Sequence, residues 1–225
     1  MKIKTSHLIL ETDTPLREGA DKLRGFIGRK YPEFLTLHHH IKGTQYLYTY
    51  PKVQYMVLEG TPSILGVDEG ANILQEISDS LDELQLGKNS YHVEQKVIYK
   101  REVDIKPGKT TQYKFITPWL SLNSENYQKF NKMREWRDKK YFLNKILAGN
   151  ILSMSKGLGI IVNRQLDVHT HLNKDWVKFK GIEVLGFTGE FRVNFKIPDF
   201  FGLGKGVSQG FGTVTEVKDV NYGDL

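Results

Sequence analysis

Three consecutive histidines, His38, His39 and His40, have the residue type and spacing that most directly suggest chemistry. In an extended segment His38 and His40 share one face and His39 points the other way. Residues two apart on a strand lie roughly 7 Å from one another, a span that brackets a phosphate with one imidazole on either side. Imidazole, with an ordinary pKa of ~6.5, serves as either partner in proton transfer near neutrality. The chemistry such a pair supports is RNA cleavage assisted from both sides. One ring removes the proton from a ribose 2′-OH, whose oxygen attacks the adjacent phosphorus, and the other protonates the departing 5′ oxygen. The nucleophile belongs to the substrate, so the scheme needs neither metal nor cofactor. Charge building on the non-bridging oxygens calls for a cation. Lys30 is the expected one and Lys42 the reserve, while Tyr46 or Tyr48 would orient the phosphate or a ring. On spacing alone such a pair is more often a metal site or plain surface than a catalytic one, and a metal site lacks a nearby third ligand because Asp and Glu are absent from 34 to 58. A second pair, His169 and His171, reads as strand surface.

Near the carboxyl end, residues 202–212 run Gly-Leu-Gly-Lys-Gly-Val-Ser-Gln-Gly-Phe-Gly. Glycines at this density mark backbone that needs positive φ or close approach. A P-loop is excluded because Lys205 is followed by Gly206 rather than Ser or Thr. A dinucleotide fingerprint is excluded because Gly202 and Gly204 lack a third glycine at 207 and a strand follows instead. What remains is a loop between strands with one lysine, able to hold a phosphate through backbone N–H groups and charge.

The elements that must position these residues follow from pattern. Residues 3–10 alternate as a strand, and Thr14-Pro15 opens a helix to about Arg29 with Leu16, Ala20, Leu23 and Ile27 at helical spacing. Strands are expected at Leu37–Ile41, Tyr46–Tyr50, 53–59 and 63–67. A helix capped by Asp68 should run to about Leu84, before a strand at 91–105. That β-α-β-β-α-β order is the ferredoxin-like pattern. Lys106-Pro107-Gly108 reads as a linker. Beyond it come a strand at 113–120, a basic helix from Ser124 to about Ala148, and a short apolar helix around 150–156. Strands are expected at 159–163, 165–172, 176–186, 188–197 and 213–217. The reading is an α+β fold of two tandem ferredoxin-like βαββαβ domains, 1–106 with the histidines and 109–225 with the glycine loop.

On these residues the chain resembles the CRISPR-associated repeat-processing endoribonucleases, members of the repeat-associated RNA-binding (RAMP) superfamily. The resemblance is carried by Gly202-Leu203-Gly204, five residues including Lys205, then Gly210-Phe211-Gly212. The segments LHHHIKG and ILSMSKGLG are similar to the archaeal-type branch with paired histidines, and the likeness covers nearly the whole length. It implies a metal-independent endoribonuclease that cuts CRISPR precursor RNA within repeats, leaving 2′,3′-cyclic phosphate and 5′-OH ends. Its catalytic residues would be His38, His40, Lys30 and Tyr46. A non-cleaving RNA-binding scaffold of the same superfamily is the alternative. Implied partners are the repeat RNA, as precursor and mature guide, and subunits of a type I effector complex; a homodimer stays open.

Charge adds where RNA would lie. Of 32 basic and 26 acidic residues in 225, those through 110 balance at 15 against 15, so 111–225 carries the whole +6 as 17 against 11. An excess on one half suits an anionic partner. Alternation in GEFRVNFKI exposes Arg192 and Lys196, and Lys156, Arg164 and Lys205 sit beside glycines or at strand ends. With Gly202, Gly204, Gly206, Gly210 and Gly212 these are the expected RNA contacts. The segment 59–94 holds eight acidic residues against Lys88 alone and should face away. Zero cysteine removes disulfides and thiolate chemistry. No run approaches the ~18 apolar residues of a membrane helix, and the amino terminus lacks a signal-peptide cleavage site, so a cytoplasmic protein is expected.

Overall fold

The computed structural model describes residues 2–38 and 50–218. The chain forms two compact units, Met1–Asp104 with Gly206–Gly210, and Ile105–Lys205 with Phe211–Leu225. Each is α+β with one antiparallel sheet, and together they are two tandem ferredoxin-like domains.

In the first unit β1 (Lys2–Thr12) turns Leu8 and Leu10 to the core. Helix α1 (Ala20–Lys30) buries Ala20, Leu23 and Ile27 as its spacing requires, but it starts beyond Thr14-Pro15. Side chains win the backbone there. Thr12 Oγ1 donates to the Thr14 carbonyl, Asp13 Oδ1 accepts from the Thr14 N–H, and the Leu16 N–H reaches Gly60 O at 2.8 Å. Helix α2 (Leu35–His38) overturns the start of the strand expected over Leu37–Ile41. The alternation Leu-Thr-Leu-His suits one helical turn as well as a strand. The Phe34 carbonyl takes the Leu37 N–H at 3.0 Å, and Leu37 joins the core.

Strands β2 (Val53–Leu58) and β3 (Thr61–Val67) are joined by Glu59 and Gly60, whose φ of 50° and 83° fit a tight hairpin turn. Helix α3 (Glu69–Ile77) ends in a 3₁₀ turn at Ser78–Ser80, short of the expected Leu84. Asp68 precedes it, but its carboxylate accepts from Lys52 Nζ at 2.6 Å instead of capping the helix. Leu81 and Leu84 are buried all the same, the second from β4 (Glu83–Leu86). Strand β5 (Asn89–Asp104) completes the order β2-β3-β1-β5-β4. Without β4, which only pairs in a hairpin with β5, this is the ferredoxin-like sheet.

The second unit begins directly with β6 (Lys106–Trp119), so Lys106-Pro107-Gly108 is strand and not linker. Lys106 and Pro107 face Lys196 and Phe195, and the register then jumps to Thr111↔Val193. A bulge at 108–110 absorbs the residues that read as a break. Helices α4 (Ser124–Lys132) and α5 (Trp136–Gly157) replace the expected long and short pair. Asn123 Oδ1 caps α4 from 2.7 Å at the Asn126 N–H, and Met133 leaves the helix in extended backbone. Residues 159–163 form no strand. Strands β7 (Val168–Phe179) and β8 (Ile182–Lys196) are one long hairpin about Lys180-Gly181, where three shorter strands were expected. With β9 (Val214–Glu216) the order is β7-β8-β6-β9, the same arrangement as in the first unit. The glycine-rich stretch stands where a second crossover helix would be. Rings of Tyr113, Phe115, Trp119, Phe187 and Phe191 pack at centroid distances of 5.0–6.1 Å between sheet and helices. Trp119 Nε1 donates to Asn150 Oδ1 on α5.

Candidate functional site

Two candidate regions exist, one in each half of the sequence. In the first, Lys30 lies in the last turn of α1, and its ammonium donates to the Ser80 carbonyl at 2.7 Å. The same ammonium stands 5.8 Å from the ring centres of Phe26 and Tyr31. Tyr31 Oη bonds Ser80 Oγ at 2.6 Å, so the carboxyl end of α1 is fastened to the 3₁₀ turn after α3. A cation in the last helical turn also suits the helix dipole. Eight residues on, His38 closes α2. A shared face for His38 and His40 requires extended backbone at both, and the backbone at His38 is helical. His39, His40, Lys42, Tyr46 and Tyr48 lie outside the described residues.

The second region is the glycine loop, and its geometry differs from an open cradle. Gly202 is buried and bridges Thr213. Gly204, Gly206, Gly210 and Gly212 all have φ between 68° and 87°. At Gly204 an added Cβ would stand 2.7 Å from Trp119 Nε1 and 2.8 Å from Leu120 O; at Gly212 it would stand 2.0 Å from Leu203 O. At Gly210 it would meet Tyr55 O at 2.8 Å and the Ala20 side chain at 3.0 Å. Close approach of protein backbone to protein backbone therefore demands these three glycines. Several N–H groups are spent the same way: Lys205 on Leu120 O, Gly210 on Val207 O, Gly212 on Pro118 O. The short 3₁₀ turn Val207–Gln209, with Val207 buried, belongs with Gly206 and Gly210 to the first unit, where it packs on β2 and α1. Lys205 and Gly204 remain exposed, with Lys205 Nζ 5.3 Å from the Phe179 ring centre.

The remaining cations of the second unit are spread over its surface. Lys156 is exposed in the last turn of α5, and Arg164 is exposed in the irregular stretch before β7. Arg192 and Lys196 project from β8 on the face opposite Phe191, Val193 and Phe195, as alternation predicted. Arg192 Nε donates to Gln112 Oε1 at 3.0 Å, and Gln112 donates to Glu190 at 2.6 Å. Composition gave no reason to notice Gln112, which only the β6–β8 register places beside Arg192. Among the described residues no three His, Asp or Glu side chains converge as metal ligands, and no helix is long and apolar enough to cross a membrane.

Comparison with known proteins covers both halves. Residues 1–104 match the Cas6b N-terminal domain and residues 106–217 the Cas6b C-terminal domain. A crystal structure of Cas6b is similar at 34% identity, with 96% of this chain and 100% of that one covered and a TM-score of 0.87. A crystal structure of the CRISPR RNA processing endoribonuclease Cas6b is similar at 32% identity over 96% and 100% of the two chains, with a TM-score of 0.78. A protein of Methanocaldococcus jannaschii is 48% identical over 109 residues, which is 48% of this chain and 74% of that protein.

Proposed function

Because the chain belongs to the Cas6b family, we propose that it is an endoribonuclease that cuts CRISPR precursor RNA within the repeats. The observation that carries this reading is the match to both Cas6b domains over residues 1–104 and 106–217, together with 32% identity to a solved CRISPR RNA processing endoribonuclease over nearly the full chain. The chemistry we assign to it is transesterification by the substrate itself. One of His38 and His40 takes the 2′-OH proton; the 2′ oxygen forms its bond to phosphorus as the bond to the 5′ oxygen breaks; the other histidine gives that oxygen a proton. The products are a 2′,3′-cyclic phosphate and a 5′-OH, with no metal ion in the scheme. General acid–base help of this kind contributes about 10²–10⁴-fold.

Lys30 is the proposed cation for the phosphate oxygens, a role in which its ammonium gives up the Ser80 carbonyl for the substrate. Tyr46 is the proposed orienting group. Lys156, Arg164, Arg192, Lys196 and Lys205 are proposed to hold the RNA backbone, with Lys205 and the exposed Gly204 the parts of the glycine loop turned to solvent. The buried Gly202, the left-handed Gly206 and the close-packed Gly210 and Gly212 would serve RNA by shaping that loop. The mature guide RNA would pass to subunits of a type I effector complex, and light scattering on the purified protein reports whether a homodimer forms.

The decisive experiment incubates a repeat RNA with the protein in EDTA, and in parallel a repeat bearing a 2′-deoxy sugar at each linkage. We expect cutting of the first, a cyclic phosphate on the product, and none of the second. His38→Ala combined with His40→Ala should lower the cleavage rate by at least about a hundredfold while affinity stays within a few-fold. Undiminished cutting by that variant refutes the histidine assignment, arrest by EDTA points to a metal mechanism, and tight binding without cutting by the wild type makes the protein an RNA-binding scaffold.

A further inference from the structure

The exposed face of the second sheet carries a pattern that the glycine loop does not account for. On β7, Thr170 turns toward the helices, where its N–H and hydroxyl both reach Asn144 Oδ1 of α5, at 2.9 and 2.7 Å. Alternation then sends His169 and His171 to the opposite face, and both are exposed. Strand register lines up two rows across that face. His169 faces Arg192, which faces Gln112; two residues along, His171 faces Glu190, which faces Lys114. At one end Lys196 faces Lys106.

The first row, with Glu190 of the second, is held in place. Gln112 accepts from Arg192 Nε at 3.0 Å and donates to Glu190 at 2.6 Å, while Asp167 Oδ1 is 3.0 Å from His169 Nε2. Fastening Arg192 through Nε fixes the guanidinium plane, and its terminal nitrogens make no hydrogen bond to any described residue. The two carboxylates are already engaged by Gln112 and His169, so the groups left facing outward are planar rings and cations. Neighbouring strands bring these side chains within about 5 Å of one another, and the two rows repeat after roughly 7 Å.

We propose that this face is a docking surface for single-stranded RNA, with bases laid on the His169 and His171 rings and phosphates on Arg192 and Lys114. Single strands are held by planar side chains that stack bases, combined with cations that follow the backbone. A protein partner would need an apolar centre, which a face of Gln, Arg, Glu, His and Lys does not offer. The proposal rests on the RNA-processing reading above and extends the RNA path beyond the glycine loop.

Fluorescence anisotropy with a labelled single-stranded repeat RNA tests it, using full-length protein carrying His38→Ala and His40→Ala to keep the RNA intact. Adding His169→Ala and His171→Ala should weaken binding by about tenfold or more, since each substitution removes a ring on which a base stacks. Adding Arg192→Gln and Lys114→Gln should reduce the slope of log affinity against log salt by about 1.4, the value for two phosphates at 0.7 each on a single strand. These positions are exposed, and an unchanged melting temperature checks that each variant folds. Affinity within twofold and an unaltered slope in both variants overturn this inference alone. Failure of the parent protein to bind the repeat RNA overturns the processing reading and this inference with it.

Discussion

His7, on β1 between Leu65 of β3 and Tyr99 of β5, carries a consequence for acid stability. Burial first, and the charge of Arg101 second, push its imidazole down to about 4. The unfolded chain takes up that proton near 6.5, while the folded chain resists it until about 4. The unfolded state therefore binds more protons across this window, and stability must fall as pH falls. The contribution is complete above ~6.5 and amounts to about 3 kcal/mol by the foot of the window. Urea denaturation at several pH values between 7 and 4 should show this loss, and His7→Gln should flatten it. An equally steep loss in that variant would place the acid sensitivity elsewhere. Residue types were the most legible part of the sequence: Arg192 and Lys196 were found by alternation and are exposed on β8. Backbone at His38 was not legible, because four residues of alternating polarity fit a helical turn as well as a strand.

Among the elements, the glycine loop makes the sharpest prediction. At Gly212, φ is +68° and a Cβ would stand 2.0 Å from Leu203 O, whereas Gly181, at φ +79°, has open space around it. Gly212→Ala combines a strained backbone with a backbone clash and should cost more than ~2 kcal/mol. Gly181→Asn, at a hairpin turn where asparagine accepts this conformation, should stay within about 1 kcal/mol. Thermal melts compare the two, and equal losses would mean that close approach is not what holds the loop. A smaller effect is expected at α4, where Asn123→Ala removes the cap on the Asn126 N–H and should lower stability by about 1 kcal/mol. Element order was readable from hydrophobic period, and β1, β2, β3 and β5 lie where it put them to within a few residues, whereas α1 starts later and α3 ends earlier than expected. Punctuation misled: Pro107 and Gly108 announce a break to any local reading, yet a bulge lets the strand run through them. Leu84, expected at the end of a helix, reaches the core from a strand instead, since burial is set by the core and not by the element that delivers the side chain.

For the whole molecule, charge and connectivity matter most. With the entire +6 excess in residues 111–225, repeat RNA should bind with an affinity that drops by at least about tenfold between 50 and 200 mM salt. A flat response in a filter-binding titration would rule out phosphate contacts as the main source of affinity. The two sheets share one strand order although the second has no second crossover helix, and no sequence period could have shown that a glycine-rich stretch takes its place. That stretch also breaks the link between folding unit and contiguous gene segment. Gly206–Gly210 completes the first unit from far along the chain, and Gly210 lies against Tyr55 and Ala20. Expressed by itself, a fragment ending at residue 104 would lack a piece of its own wall, and a synthetic peptide spanning that piece is the natural candidate to restore it.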